Sequence, residues 1–373
     1  MKVLLTATVQ SHICQFHKPL VEMLHEKGYE VHVAARDNLA EKNGLKLDFV
    51  EKVYSIPFSR SPKSADNFKA YKQLKKIIES ENYDIIHCNT PMGGIVTRLA
   101  SIKARKNGTK VFYTAHGFHF YKGAPLKNWL VFYLIEKIFA RFTDKLITIT
   151  TEDFNLASRK FRCKVERIHG VGANSSKFFV MKDAEKNELR RNLGIDKDQK
   201  IILNVGELLP NKNQKTAIAA LALVAKKIPN IKLMIAGNGP EKENLERLIR
   251  DNGLENNIVL LGYTTELEKY MNICDVVVAC SFREGLPLNV IEAMLCKKPV
   301  VASDNRGHRE LIINAENGFI MGATDINGFS EKISELALNS ELAMQIGDNA
   351  KSTAEQYSAE SVKKELVRIY EIL

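Results

Sequence analysis

Residues 275–295 read DVVVACSFREGLPLNVIEAML. Residues 275–279 are a short apolar run rich in β-branched side chains, the pattern of a strand buried on both faces. A polar loop with Gly285 follows. An apolar stretch then opens around Pro287–Asn289, and proline suits the first turn of a helix. Strand, loop and helix in that order make one unit of a parallel α/β sheet.

The same unit recurs in both directions. Strands are expected at 2–8, 29–35, 48–54, 83–88, 110–115 and 145–150, with helices at 15–27, 67–80, 93–106 and 127–141 between some of them. The pattern then restarts with strands at 200–205, 232–236, 258–261, 275–279 and 299–303. Continuous apolar strands alternating with helices imply parallel sheets covered on both faces. The Gly-rich, polar segment 169–177 separates the two series and reads as a hinge. The expected fold class is therefore α/β, with two doubly wound Rossmann-like domains facing a deep cleft. Such sheets bind ligands beyond the carboxyl ends of their strands.

Composition agrees with this class. The 373 residues are 45% hydrophobic and 26% charged, which excludes disordered, collagen-like and disulfide-scaffold chains. Cysteines at 14, 88, 163, 274, 280 and 296 form no Cys-x-x-Cys pair, so buried thiols in a reducing compartment are expected rather than a zinc ligand set. The apolar run near Met1 is too short for a signal peptide and reads as a first strand. No window approaches the ~20 apolar residues of a membrane-spanning helix. The net charge of +10 is unevenly placed. Residues 1–180 hold 29 Lys and Arg against 16 Asp and Glu, and the remainder is slightly acidic. A basic half suits an anionic partner.

Glu284 lies in the quoted loop and Glu292 in the helix, eight positions later. The first-turn amides of Leu288 and Asn289 point at whatever occupies the helix start, a natural diphosphate site. Carboxylates flanking such a site can accept hydroxyls from a ribose and a hexose. By spacing alone, Glu284 reads equally as a surface loop acid and Glu292 as a helix-face acid. There is no G-x-G-x-x-G, which argues against a dinucleotide fingerprint. Asp196-Lys-Asp198 sits in a charged linker and reads as a surface turn.

EGLPLNVIEAM (284–294) resembles the Glu-x7-Glu motif of retaining GT-B glycosyltransferases of family four, of the bacterial capsule and exopolysaccharide type. TAHGFHF (114–120), TDKLITIT (143–150), HGVGANSSKF (169–178), NVGELLPNKN (204–213), AGNGP (236–240) and VASDNRGHRELI (301–312) extend the resemblance over essentially the whole chain. It implies an acceptor-binding domain 1–175, a donor-binding domain 176–355 and a terminal helix 356–373 returning to the first domain. Glu292 would bind the ribose and Glu284 the donor sugar. Gly285, Leu286, Pro287, Leu288 and Asn289 would hold sugar and diphosphate, and Gly262 and Tyr263 the base. Gly206 and Asn211 belong to the same donor loop as Lys212, whose ammonium would neutralise the leaving diphosphate. His116 would meet the sugar near the reacting carbon. One position departs from the family, which usually has Arg where this chain has Glu207. That carboxylate either faces the acceptor or pairs with Lys212.

Ser11, His12, Asn89, Thr90 and His119 are candidates for the acceptor side, each also readable as turn or packing chemistry. Lys69, Lys72, Lys75 and Lys76 on 67–80, and Trp129 within 118–142, pair basic residues with aromatic anchors, as on a helix lying on an anionic leaflet. Core faces with solvated lysines would look the same. The function expected from the resemblance is transfer of a hexose or N-acetylhexosamine. The donor would be a nucleotide-diphosphate sugar, by default UDP, and the acceptor a polyprenyl-diphosphate-linked or other glycan. The enzyme would need no metal, bind no nucleic acid and work in the cytoplasm, peripheral to the membrane. The rival expectations are a UDP-sugar 2-epimerase of the same fold and a non-catalytic lipid or assembly subunit.

Overall fold

The computed structural model describes residues 1–41 and 44–371. Among these residues thirteen strands form two sheets. The first holds β1 (Lys2–Val9), β2 (Glu30–Arg36), β3 (Lys52–Ser55), β4 (Ile85–Asn89), β5 (Lys110–Ala115), β6 (Lys145–Thr148) and β7 (Lys164–Arg167). The second holds β8 (Lys200–Val205), β9 (Ile231–Ala236), β10 (Ile258–Gly262), β11 (Val276–Ala279), β12 (Val300–Ser303) and β13 (Phe319–Met321). Their spatial orders are 3-2-1-4-5-6-7 and 10-9-8-11-12-13, and every strand pair is parallel. Each order reverses once, between β1 and β4 and between β8 and β11. These are the switch points where such sheets bind ligands.

The chain divides into two compact units. One comprises residues 1–172 with the chain from Ala359 onward, the other Ala173–Ser358. In the second unit the period of two is visible in the packing. Ile202, Val276 and Val278 face one core, while Ile201, Leu203 and Val277 face the other, so the sheet is buried on both sides. Capping starts several helices. The side chains of Thr150, Asn305, Asp325 and Asn339 accept from the backbone amides of Asp153, His308, Gly328 and Leu342.

The helix Ala359–Tyr370 closes the first unit. The Tyr370 hydroxyl lies 2.6 Å from His87 Nδ1, and the Lys145 ammonium donates to the Ile369 carbonyl. Thr114 Oγ1 lies 2.7 Å from the other His87 nitrogen, and burial pushes this imidazole down to about 3.

Several expected elements differ in extent. The helix expected at 15–27 is two helices, Gln10–Phe16 and Lys18–Glu26, broken at His17 ahead of Pro19. The one expected at 127–141 contains a π-helical turn at Trp129–Tyr133. β7 and β13 were not expected. Both are short edge strands: β7 (KVER) has a single apolar side chain, and β13 (FIM) is apolar but only three residues long.

Candidate functional site

The carboxyl edge of the second sheet gathers most of the expected donor residues. After β8 the chain enters the loop 206–213. The Phe282 amide donates to the Asn211 carbonyl at 2.9 Å, and Asn211 Nδ2 donates to the Arg283 carbonyl at 3.0 Å. These bonds tie the loop to the one that follows β11. Lys212 and Glu284 are thereby brought together, with Nζ 2.7 Å from Oε1. Two glycines permit the close approach. A Cβ on Gly237 would stand 2.0 Å from the Gly206 carbonyl oxygen, and one on Gly307 would stand 2.8 Å from Glu284 Cβ. The Lys212 stem lies over Gly206.

The helix Leu288–Leu295 begins beside this pair. Its N-cap, Pro287, supplies no side-chain cap. The first-turn amides of Leu288 and Asn289 have no carbonyl within the helix to reach, as in any first turn. The Asn289 side chain is used in the scaffold, donating to the Val205 carbonyl at 2.8 Å. Glu292 sits one turn further, half-buried. Burial pushes its carboxyl up to about 8, against the pull of the Lys177 ammonium. Tyr263, just beyond β10, is 55% exposed, and the Gly262 carbonyl accepts from the Gly237 amide. Glu207 is exposed while its carbonyl accepts from Gln214 Nε2. Leu286 and Gly285 are half-buried along the same loop.

Gly307 and His308 also belong here, although the sequence reading gave them no role. His308 is fully buried behind Gly307. Its Nδ1 lies 2.7 Å from the Ser303 carbonyl and 2.9 Å from Asn305 Nδ2. The signal was available in the GH pair of 301–312. Its contact with Glu284 is long-range and invisible to spacing.

The carboxyl edge of the first sheet is built from imidazoles. His12 follows β1, Asn89 and Thr90 end β4, and His116 follows β5. His116 Nε2 lies 3.3 Å from His12 Nε2 and 3.1 Å from Asn89 Oδ1. His17, which the sequence reading did not single out, joins them at ring distances of 5.2 Å and 5.5 Å. Burial drives His116 down to about 4. Burial, reinforced by the neighbouring rings, drives His12 and His17 well below their usual range, with Arg60 adding to the effect on His12. These three are the one group of possible metal ligands found among the described residues.

Thr90 has φ +64°, a strained conformation for a β-branched residue. Its Oγ1 is held 2.7 Å from Thr8 Oγ1 and accepts from the Thr8 amide. Ser11 is buried, with its hydroxyl accepting from Asn38 Nδ2, so it is occupied by the scaffold. His119 stacks at 4.8 Å on Phe132, and its carbonyl accepts from Asn128. Asp196 and Asp198 lie exposed in the turn before β8.

Of the basic candidates, Lys69, Lys72 and Lys76 are exposed and Lys75 half-buried on the helix Asp66–Glu81. The Lys72 ammonium sits 4.5 Å over the exposed Phe68 ring. Trp129 packs on Phe120 and Tyr133, and is thus partly a core residue. The next turns carry a different surface. Leu126, Leu130, Leu134 and Ile138 recur every four residues and are each at least half exposed. Lys127, Lys137 and Arg141 are exposed on the same segment.

Two open parallel sheets, one edged by a cation–carboxylate pair beside first-turn helix amides, are what the resemblance to GT-B glycosyltransferases leads one to expect. The comparisons agree. The family model for "Glycosyl transferases group 1" matches residues 185–353, and that for "Glycosyl transferase 4-like" matches 2–150. EpsD of Bacillus subtilis (strain 168), a protein named as a glycosyltransferase, is 41% identical over 371 residues, spanning 99% of this chain and 96% of that one. The N,N'-diacetylbacillosaminyl-diphospho-undecaprenol alpha-1,3-N-acetylgalactosaminyltransferase of Campylobacter jejuni is 28% identical over 376 residues, spanning 96% and 95%. Among solved structures, Anabaena HepE in complex with UDP and glucose superposes with a TM-score of 0.78 at 22% identity, covering both chains in full. The chain belongs to the group 1, GT4-like glycosyltransferases.

Proposed function

We propose that the enzyme moves a sugar from a UDP-sugar to a polyprenyl-diphosphate-linked glycan, with retention at the anomeric carbon, during assembly of a bacterial surface polysaccharide. The observation that carries this reading is the Lys212–Glu284 pair beside the unused amides of Leu288 and Asn289. A diphosphate entering there takes Lys212 as counter-ion and the amides as donors, and Glu284 turns to the sugar hydroxyls. HepE, solved with UDP and glucose, supports the choice of donor, and the diphospho-undecaprenol acceptor of the Campylobacter relative supports the choice of acceptor.

The bond from the anomeric carbon to the β-phosphate oxygen breaks, and the electron pair leaves with UDP. Lys212 and the helix amides stabilise that charge as it develops. The acceptor oxygen attacks from the same face, and its proton passes to the departing phosphate oxygen. No carboxylate nucleophile is needed, which leaves Glu284 as a hydroxyl contact. Glu292 accepts from the ribose hydroxyls. In the first unit, the neutral His116 imidazole is the contact for the saccharide. Lys212 and the amides, rather than a metal, carry the leaving-group charge.

The leucine stripe 126–138, with Lys127, Lys137 and Arg141, supports docking on an anionic membrane face where such acceptors reside. Among the described residues no helix is long and apolar enough to cross a membrane.

The decisive experiment incubates the protein with a panel of UDP-, GDP- and ADP-sugars and an undecaprenyl-diphosphate-linked saccharide in detergent. A UDP-sugar should be consumed with formation of an α-linked product. Isomerised sugar in the absence of acceptor, or no thermal stabilisation by any nucleotide sugar, would overturn the reading.

A further inference from the structure

The geometry points to a transition-metal site in the first unit, formed by His12, His17 and His116 and suited to Zn²⁺. Two imidazole nitrogens bonded to one tetrahedral zinc at about 2.0–2.1 Å stand roughly 3.3–3.4 Å apart. The His12 and His116 Nε2 atoms are already 3.3 Å apart. The third ligand is the informative one. His17 is 4% exposed, and its Nε2 has no hydrogen-bond partner. An orphaned buried nitrogen is costly unless something occupies the space it faces. The ligand atoms of all three rings lie within 4.8 Å of one another, so ring rotation closes them on a single ion.

The backbone is arranged for this convergence. Residues five apart on a straight helix point about 140° away from each other. The break at His17, with φ −121° and ψ 7°, ends the first helix there and leaves the His12 and His17 ring centroids 5.2 Å apart. Asn89 Oδ1, 3.1 Å from His116 Nε2, adjoins the three nitrogens as a fourth ligand atom, either bonding the ion or holding its water.

Three neutral nitrogens without a carboxylate select Zn²⁺, Co²⁺ or Ni²⁺ over Mg²⁺ or Ca²⁺. Arg60 is the nearby cation, but it is exposed and its charge is screened by solvent. Asp196 and Asp198, the one metal-like pattern weighed in the sequence, contribute nothing here. The site differs in place and chemistry from the diphosphate site assigned to the second unit. Since the proposed transfer uses the His116 ring as its saccharide contact, ion and saccharide exclude each other there, and Zn²⁺ would act as an inhibitor of transfer rather than a cofactor.

The test titrates the metal-free, full-length protein with Zn²⁺ against a chromophoric chelator, and with Co²⁺ while recording its visible ligand-field bands. One ion per chain should bind, and Co²⁺ should show the intense bands of a tetrahedral centre. His17→Phe keeps a ring in the same space and should weaken Zn²⁺ binding by more than about 100-fold, beyond the cost of losing an outer partner. His12→Gln should do the same, and carries the test if the first variant does not fold. Thermal stabilisation by UDP reports whether each variant is intact. Absence of binding by the parent protein, or equal binding by folded variants, overturns the proposal. Glycosyl transfer is not the readout, so failure here leaves the transfer reading standing.

Discussion

Arg98 and Glu136 in the first unit form an ion pair of 3.0 Å, and Lys212 and Glu284 in the second form one of 2.7 Å. The likeness ends at the distance. Arg98 is 1% exposed, and its guanidinium is held on several sides. Nε donates to the Gly94 carbonyl, and the guanidinium stacks 4.0 Å from the centroid of Tyr113, whose hydroxyl donates to Glu136. The pair pins the segment Leu134–Phe139 to the helix Pro91–Ala100. Lys212 and Glu284 sit at the carboxyl edge with side chains 24% and 15% exposed, and among the described residues Glu284 is the one hydrogen-bond partner of the ammonium. A sealed pair fixes structure. An unsaturated pair at a switch point can exchange its partner for a ligand.

The comparison breaks most easily at the sealed pair. Glu136→Ala strands a buried guanidinium and should cost about 3–5 kcal/mol of stability. Thermal melting should show this, while the UDP affinity of the remaining folded protein stays unchanged. Replacing both partners together, with Arg98→Met and Glu136→Leu, should recover much of the loss. Lys212→Ala should do the converse. Turnover falls by roughly 10²–10³ if the ammonium stabilises the leaving diphosphate, while stability shifts by no more than about 1 kcal/mol. A Lys212→Ala enzyme with near-normal turnover would place the two pairs in the same structural category.

Glu292 sharpens the contrast, because its carboxylate has a charge to use and no strong cation beside it. With its pKa raised to about 8, the free protein holds a proton there at neutral pH. Accepting ribose hydroxyls calls for the ionised form. Nucleotide binding at pH 7 should therefore release a proton, and affinity should rise with pH until about 8. Glu292→Gln should lose roughly ten- to a hundredfold in affinity and abolish that dependence. Calorimetry in buffers of different ionisation enthalpy reads both. The linkage to stability has the opposite sign. A raised carboxyl pKa favours the folded state below the unfolded value of about 4.5, and this is lost as pH rises through 8. Glu292→Gln should thus melt higher than the parent above pH 8.

The loops that carry Lys212 and Glu284 were legible because each is a contiguous motif following an apolar strand, but their pairing was not: the sequence offered Glu207 as the partner of Lys212, and the structure gives that ammonium to Glu284. The sealed pair was not legible. Arg98 and Glu136 are 38 positions apart, on helices whose packing no local pattern announces. His17 escaped for a related reason. It lies five residues from His12, and that spacing converges only because the helix breaks. β7 and β13 were missed for different reasons: the residues of β7 are exposed or half-buried with one apolar side chain, and β13, though apolar, is only three residues long. Parallel order and switch points followed from strand–helix alternation alone, since right-handed crossovers leave few alternatives.

The smallest effect concerns what Glu136 holds in place. With Glu136 and Ala140 turned inward, Leu126, Leu130, Leu134 and Ile138 form an outward apolar stripe. On a leaflet these side chains insert only in part, so each contributes about 1 kcal/mol, less than full burial would give. Leu134→Glu should reduce co-sedimentation with phosphatidylglycerol vesicles by roughly fivefold, and removing the charge of Lys137 should act more weakly and only at low salt. Transfer to a water-soluble acceptor analogue should be untouched by either change. The exposed Lys69 and Lys76, on a helix whose buried face is Ala70, Leu74 and Ile78, supply the control surface. If Lys69→Ala and Lys76→Ala release the protein from vesicles while Leu134→Glu does not, the membrane face is the helix Asp66–Glu81. The leucine stripe must then be covered by something other than lipid.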